Sequence, residues 1–228
     1  MPIRTIFIDF GGTLVRDPPD PYPTFRSILS PMGYEVSAQR YDEADRRVAA
    51  RIEPLRYDLL GKTPSMLDLS NMETLRALGV PDPEGRIVAR LHDAFTSPDW
   101  RPTFPETVEV LKILRASGVG IYILSNSTDM LLETIARRGW GRLLSGVTFS
   151  QEAGAEKPDN AIFQLALTRA ECRAADAVHV GDSWRADYLG AREAGLNAIW
   201  LNRDRRACPA PCTEIQSLRE LPAILRDQ

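Results

Sequence analysis

Between residues 105 and 226 the sequence alternates short β-branched apolar runs with longer stretches of helical period, and few folds accommodate that order. Strands are predicted at 120–124, 146–149, 177–180 and 197–201, separated by helices at 128–138, 159–170 and 185–194. A helix at 105–117 precedes them and a short one at 217–226 follows. Strands that alternate with helices of ten or more residues build right-handed βαβ units. The expectation is an α/β fold: a doubly wound, Rossmann-like parallel sheet with helices on both faces. Residues 3–10 add one more strand, halted by Gly11-Gly12.

A different kind of sequence lies between that first strand and the alternation. Pro18, Pro19, Pro21 and Pro23 mark a linker, since proline in a helix interior removes a hydrogen bond and clashes with the preceding turn. Helical patterns follow at 24–31, 37–55, 64–78 and 83–95 with no strand among them, up to a second proline-bearing hinge at 97–102. The predicted organisation is a core of residues 1–15 and 100–228 interrupted by an all-α domain at 16–99. The length of 228 residues is roughly one and a half domains of about 150, which suits a core with an insert.

Composition excludes other classes. Hydrophobic residues at 43% and charged residues at 26% are globular values, and a net charge of −3 offers no broad attraction to nucleic acid or to an anionic membrane. No apolar stretch approaches the roughly 18 residues of a membrane span. The first apolar run, Ile6-Phe7-Ile8, meets Asp9 at once and does not read as a signal peptide. Cys172, Cys208 and Cys212 are an odd number without framework spacing, which fits a reducing, cytoplasmic setting. Cys208 and Cys212 lack the further ligands a zinc site wants. Lys62, Lys112 and Lys157 are the only lysines beside twenty-five arginines, so each lysine draws notice as a compact point charge that arginine replaces poorly at a phosphate.

In open α/β sheets ligands bind outside the carboxyl ends of the strands. The first strand ends in Asp9-Phe10-Gly11-Gly12-Thr13, the next in Ser125-Asn126-Ser127. Glu156-Lys157-Pro158 opens a helix, and the strand at 177–180 runs into Gly181-Asp182-Ser183, with Asp187 five residues beyond Asp182. Carboxylates, a hydroxyl and an ammonium are thereby directed to one edge. Mg²⁺ takes carboxylates, a carbonyl and waters, which Asp9, Asp182 and Asp187 can supply. Gly-Gly lets backbone N–H groups approach phosphate oxygens, Ser125 can donate to one oxygen, and Lys157 can neutralise another. A carboxylate nucleophile in that field can attack phosphorus.

The ordered motifs D-x-x-G-T-L, apolar-S-N, K-P and G-D-S-x-x-x-x-D resemble those of the haloacid dehalogenase-like hydrolase superfamily, over nearly the whole chain. The helical insert after the first motif resembles that family's α-helical cap. The resemblance implies that Asp9 is the nucleophile and that Mg²⁺ is held by Asp9, the Gly11 carbonyl, Asp182 and Asp187. It further implies that Ser125 and Lys157 bind the phosphoryl group and that Gly12, Thr13 and Asn126 support the phosphate loop. The implied substrate is a small phosphorylated metabolite.

One position departs from the family's phosphatases, which carry Asp-x-Asp-Gly-Thr; here Gly11 replaces the second Asp. In those enzymes that residue protonates the leaving oxygen and later activates water. Glycine keeps the carbonyl and loses the proton transfer, which is typically worth 10²–10⁴-fold, or roughly 3–5 kcal/mol. Asp17, Asp20 and His92 are the candidate replacements. Two other readings stand beside a phosphatase: an impaired member that binds a phosphorylated ligand or a protein partner, and a 2-haloacid dehalogenase, whose leaving halide needs no proton. Within the insert, Arg26, Tyr41, Arg51, Arg56, Tyr57, Lys62 and His92 are candidate substrate contacts.

Overall fold

A computed structural model describes residues 3–226. Six strands form one parallel sheet in the order β3-β2-β1-β4-β5-β6. They are β1 (Thr5–Ile8), β2 (Gly120–Ser125), β3 (Gly146–Phe149), β4 (Ala177–Gly181), β5 (Asn197–Leu201) and β6 (Glu214–Ile215). The expected doubly wound sheet is therefore present. All residues of β1 and β4 are buried, as the continuous apolar runs of a parallel sheet covered on both faces require. Ten α-helices occur among the described residues: α1 (Tyr22–Leu29), α2 (Ala38–Ile52), α3 (Met66–Ala77), α4 (Arg86–Thr96), α5 (Thr107–Ala116), α6 (Met130–Arg137), α7 (Ser150–Ala153), α8 (Asn160–Arg169), α9 (Gly190–Glu193) and α10 (Leu221–Ile224).

Contacts divide the chain into two units. The α/β unit comprises residues 3–17, Pro102–Ser127 and residues 138–226; the helical unit comprises Pro18–Arg101 and Thr128–Arg137. The core of the α/β unit includes Phe7, Leu124, Phe163 and Trp200. The helical unit has its own core, with Phe25, Leu29, Leu75, Leu91 and Phe95 buried in it. In α4 the buried residues Ile87, Leu91 and Phe95 recur every fourth position, as one helix face demands. Ser37 and Ser65 cap α2 and α3 by accepting from the amides of Arg40 and Asp68.

Some expectations are refined. Residues 128–138, read as a helix of the core, form α6, and α6 groups with the helical unit through the pairing of Glu133 with His92 and of Arg137 with Asp93. The segment expected as one helix at 185–194 opens as a π-type turn, Trp184–Leu189, where the Tyr188 amide donates to the Ser183 carbonyl, before α9. The 217–226 segment starts as a 3₁₀ turn at Leu218–Glu220, held by a capping box between Ser217 and Glu220. β6 and α7 are too short to leave a periodic signal. Cys208 and Cys212 are joined as a disulfide across a sequence separation of 4, unlike the expected set of cysteines without a framework, while Cys172 is free. Among the described residues no helix is long and apolar enough to cross a membrane.

Candidate functional site

The ends of β1, β2 and β4 converge on a buried ionic cluster in the α/β unit. Asp9 follows β1, and its amide donates to the Val180 carbonyl of β4 at 2.9 Å, which fixes the backbone from which the carboxylate projects. Lys157 lies in the loop before α8, and its side chain is 2% exposed. Its Nζ donates to Asp9 Oδ1 at 2.7 Å, to Asp187 Oδ1 at 2.5 Å and to the Leu124 carbonyl at 2.8 Å. An ammonium has three protons, and all three are engaged. A buried charge is tolerable only with such full pairing.

Asp187 sits in the π-type turn and is held from three sides. Besides Lys157, His179 Nε2 lies 2.9 Å from Oδ1 and the Ser183 amide donates to Oδ2 at 2.9 Å. Burial alone would raise Asp187, but the Lys157 charge and the His179 hydrogen bond hold it below the usual carboxylate range. Burial raises Asp9 against the opposing pull of Lys157. Lys157 is driven the other way: burial disfavours its charge, and the two carboxylates more than restore it, so it is raised. His179 is fully buried in β4 and lowered by desolvation, hence neutral, so its Nε2 hydrogen is the one given to Asp187.

Asp182 completes the cluster. Carboxylate oxygens of Asp9, Asp182 and Asp187 lie within 4.8 Å of one another. Asp182 is pushed up to about 6, first by burial and then by the charges of Asp9, Asp187 and Asp17. Its contact from the Thr13 hydroxyl is long, at 3.4 Å. Lys157 pairs with Asp9 and Asp187 and not with Asp182, which leaves negative charge over, and an all-oxygen donor set of this kind fits a hard divalent cation. Gly12 presses against Asp182: its φ is +68°, and a Cβ there would come within 2.6 Å of Asp182 Oδ2. Only glycine lets the loop pass so close in that left-handed conformation.

The remaining predicted residues are placed as follows. Ser125 is buried at the end of β2. Asn126 engages both ends of its amide with the Lys157 backbone, donating to the carbonyl at 3.0 Å and accepting from the amide at 2.8 Å. It therefore clamps the Lys157 loop. Thr13 is fully buried, and its carbonyl accepts from Arg203 Nη2 at 2.9 Å. Gly11 makes a bridge to Val15. A cavity of about 480 Å³ opens at Gly12 and Asp182 and is also lined by Asp17, Arg16 and Arg203. Of the groups considered as a replacement acid, Asp17 lines this cavity, whereas Asp20 and His92 belong to the helical unit. Asp20 there accepts from the Tyr22 amide, and His92 lies between Asp68 and Glu133.

Sequence reasoning missed His179 and Arg203. His179 leaves a signal, a polar residue inside the otherwise apolar run of β4. Arg203 pairs with Glu106 at 2.6 Å and stacks 3.7 Å from the Phe104 ring centroid. Neither contact leaves a local pattern.

A family model described as haloacid dehalogenase-like hydrolase matches residues 3–195. The chain is 36% identical over 162 residues to haloacid dehalogenase-like hydrolase domain-containing protein 3 of Danio rerio, a match spanning 68% of this chain and 66% of that protein, just under two thirds of it. It is 25% identical over 232 residues to a phosphoserine phosphatase of Thermus thermophilus, spanning 90% of each. A crystal structure of a 2-haloacid dehalogenase from Pseudomonas syringae superposes with a TM-score of 0.77 over 99% of both chains at 24% identity, which is a likeness of fold.

Proposed function

The chain belongs to the haloacid dehalogenase-like hydrolases, and on that footing we propose that it is a magnesium-dependent phosphatase of a small phosphorylated metabolite, with Asp9 as the nucleophile. The observation that carries this reading is the buried bridge from Lys157 Nζ to Asp9 and Asp187 beside the under-compensated Asp182. Phosphoryl transfer needs a held nucleophile and positive charge for the phosphoryl oxygens; the Lys157 contact that holds Asp9 supports the first, and an acidic donor set that would take a cation supports the second. The activity named for the Thermus relative, phosphoserine phosphatase, supports the same direction.

Asp9, the Gly11 carbonyl and Asp182 would hold Mg²⁺, with Asp187 Oδ2 beside them. When bound, the ion supplies positive charge that offsets the repulsion between carboxylates and phosphate. Lys157 fixes Asp9 through Oδ1, so attack falls to the other carboxylate oxygen. That oxygen forms a bond to phosphorus as the bond from phosphorus to the leaving oxygen breaks, and the leaving oxygen keeps the electron pair and takes up a proton. Ser125 donates to a phosphoryl oxygen, and the backbone at Gly12 and Thr13 lines the loop around it. Water then cleaves the acyl phosphate, which returns the Asp9 carboxylate and releases inorganic phosphate.

Gly11 has no side chain with which to deliver the proton. Asp17, in the cavity at Asp182, is the proposed source. Leaving groups that depart readily as anions, such as aryl and acyl phosphates, depend on it least.

The test is release of phosphate from p-nitrophenyl phosphate. Turnover depends on Mg²⁺ and falls about 10³-fold or more in Asp9→Asn. Gly11→Asp raises turnover of alkyl phosphates by about 10–100-fold and that of aryl phosphates by less. Unchanged rates in Asp9→Asn, or no turnover across a broad phosphate panel, would overturn the proposal. The absence of an acid at Gly11 also favours one second reading, because a halide leaves without a proton. Metal-independent chloride release from a 2-haloacid would replace the first reading with that one.

A further inference from the structure

The helical unit contains a cavity of about 240 Å³ that the proposed chemistry does not use. Four aromatic side chains, Phe25, Tyr41, Phe95 and Trp100, line it. They pack in sequence, with ring centroids 4.9 Å apart for Phe25 and Tyr41, 5.9 Å for Phe25 and Phe95, and 4.7 Å for Phe95 and Trp100. Besides the hydroxyls of Tyr41, Ser70 and Thr74, two polar groups in this lining stand out.

The first is Asn71 on α3. It is 3% exposed, lines the cavity, and its Nδ2 has no hydrogen-bond partner. A buried amide donor left unmatched is costly, so its presence in a cavity wall is a binding feature in search of an acceptor. The second is Asp45 on α2. Among the described residues no cation pairs with it, and its contact is the Tyr41 hydroxyl, which donates at 3.4 Å. Asp20 and Asp42 add to the same negative field. Burial, followed by these charges, pushes the Asp45 carboxyl up, and burial together with Asp45, Asp20 and Asp42 pushes the Tyr41 hydroxyl up.

We propose that this pocket binds an organic ammonium ion carrying an oxygen acceptor, with aromatic faces around the cation, Asp45 as its counter-ion and Asn71 Nδ2 as donor to the oxygen. Each alternative fails on charge or on polarity. An anion meets the Asp45 carboxylate, with Asp20 and Asp42 adding to the repulsion. A neutral hydrocarbon leaves Asn71 Nδ2 unmatched and the Asp45 charge without a counter-ion. A cation with methyl or methylene groups satisfies the rings through their electron-rich faces and the carboxylate through its charge.

Calorimetric titration of the full chain tests this, with choline, tetramethylammonium and neohexanol, the neutral carbon isostere of choline, as probes. Choline is expected to saturate one site at millimolar or lower concentration and to bind about tenfold or more tightly than neohexanol. Asp45→Asn reduces that preference to about twofold or less. Asn71→Leu weakens choline and leaves tetramethylammonium, which has no oxygen, unchanged. Equal affinity for choline and neohexanol, or no saturable binding of either by the folded wild-type chain, overturns the proposal, and neither reading depends on a variant that folds. The measurement involves no turnover, so it fails or succeeds independently of the phosphatase assay.

Discussion

Lys157 in the α/β unit and His92 in the helical unit each bridge a pair of carboxylates, and burial separates them. Lys157 joins Asp9 and Asp187 with side chains 2%, 9% and 2% exposed. His92 joins Asp68 and Glu133 at 2.8 Å each, with side chains 26%, 25% and 36% exposed. The hydrogen-bond lengths are similar. What differs is the cost of breaking them: water can replace a lost partner of His92, whereas nothing replaces a lost partner of Lys157. The buried bridge is a fixed electrostatic framework, and the half-exposed one is conditional on protonation.

Removing the buried cation is the strongest way to break this contrast. Lys157→Ala leaves Asp9 and Asp187 buried without compensation and is expected to cost about 3–5 kcal/mol in urea unfolding at neutral pH. A loss under about 1 kcal/mol would mean that water reaches the cluster freely and that the two bridges are alike.

A pair of glycines sharpens the comparison at intermediate size. Gly12 in the α/β unit and Gly85 before α4 share nearly the same left-handed φ, +68° and +67°. A Cβ at Gly12 would strike Asp182, while one at Gly85 meets nothing within 4 Å. Gly85→Ala is expected to cost about 1 kcal/mol, the strain of the conformation alone, and Gly12→Ala about 2–3 kcal/mol. Equal costs in chemical denaturation would show that Asp182 can yield, and that the site is less crowded than its geometry implies.

The smallest effect carries the clearest sign. Burial lowers His92, but hydrogen bonds from its ring to Asp68 and Glu133 outweigh that and raise it above its ordinary value. A histidine raised in the folded state contributes stability that is fully present below about pH 6.5, its unfolded value, and is lost as the pH rises through the folded one. His92→Gln is therefore expected to cost about 0.5–1 kcal/mol at about pH 6 and progressively less in more alkaline buffer. Thermal melts of both proteins across that range check it. A pH-independent difference would mean that packing, and not charge, holds α6 to His92.

Much of the α/β unit was legible beforehand because its signals are local. A strand covered on both faces reads as an unbroken apolar run, so β1 and β4 stand out, and the residue that ends each run is placed at the sheet edge by chain geometry. Asp9, Ser125 and Asp182 were found by that route. Of the three lysines, Lys157 is singled out by its place in Glu156-Lys157-Pro158, at a helix start beyond the third core strand. Asn126 shows the limit: its type and position were visible, but its engagement with the Lys157 backbone depends on a loop 31 residues away. The helical unit was less legible. Its helices followed from period and proline, yet α6 was expected with the core, because the contacts that group it elsewhere are long-range ion pairs. Asn71 and Asp45 are unremarked polar residues on their helices until α2 and α3 are packed around one cavity.

The order of apolar runs, breakers and chemically capable residues determined the fold class and the residues gathered at the sheet edge, since backbone periodicity and strand direction act over a few positions. Which carboxylate Lys157 neutralises, which one is left wanting a cation, and where an aromatic pocket encloses an unmatched amide were decided only in three dimensions. Those outcomes depend on desolvation and on distances between segments far apart in the chain, and no short stretch of sequence encodes either quantity.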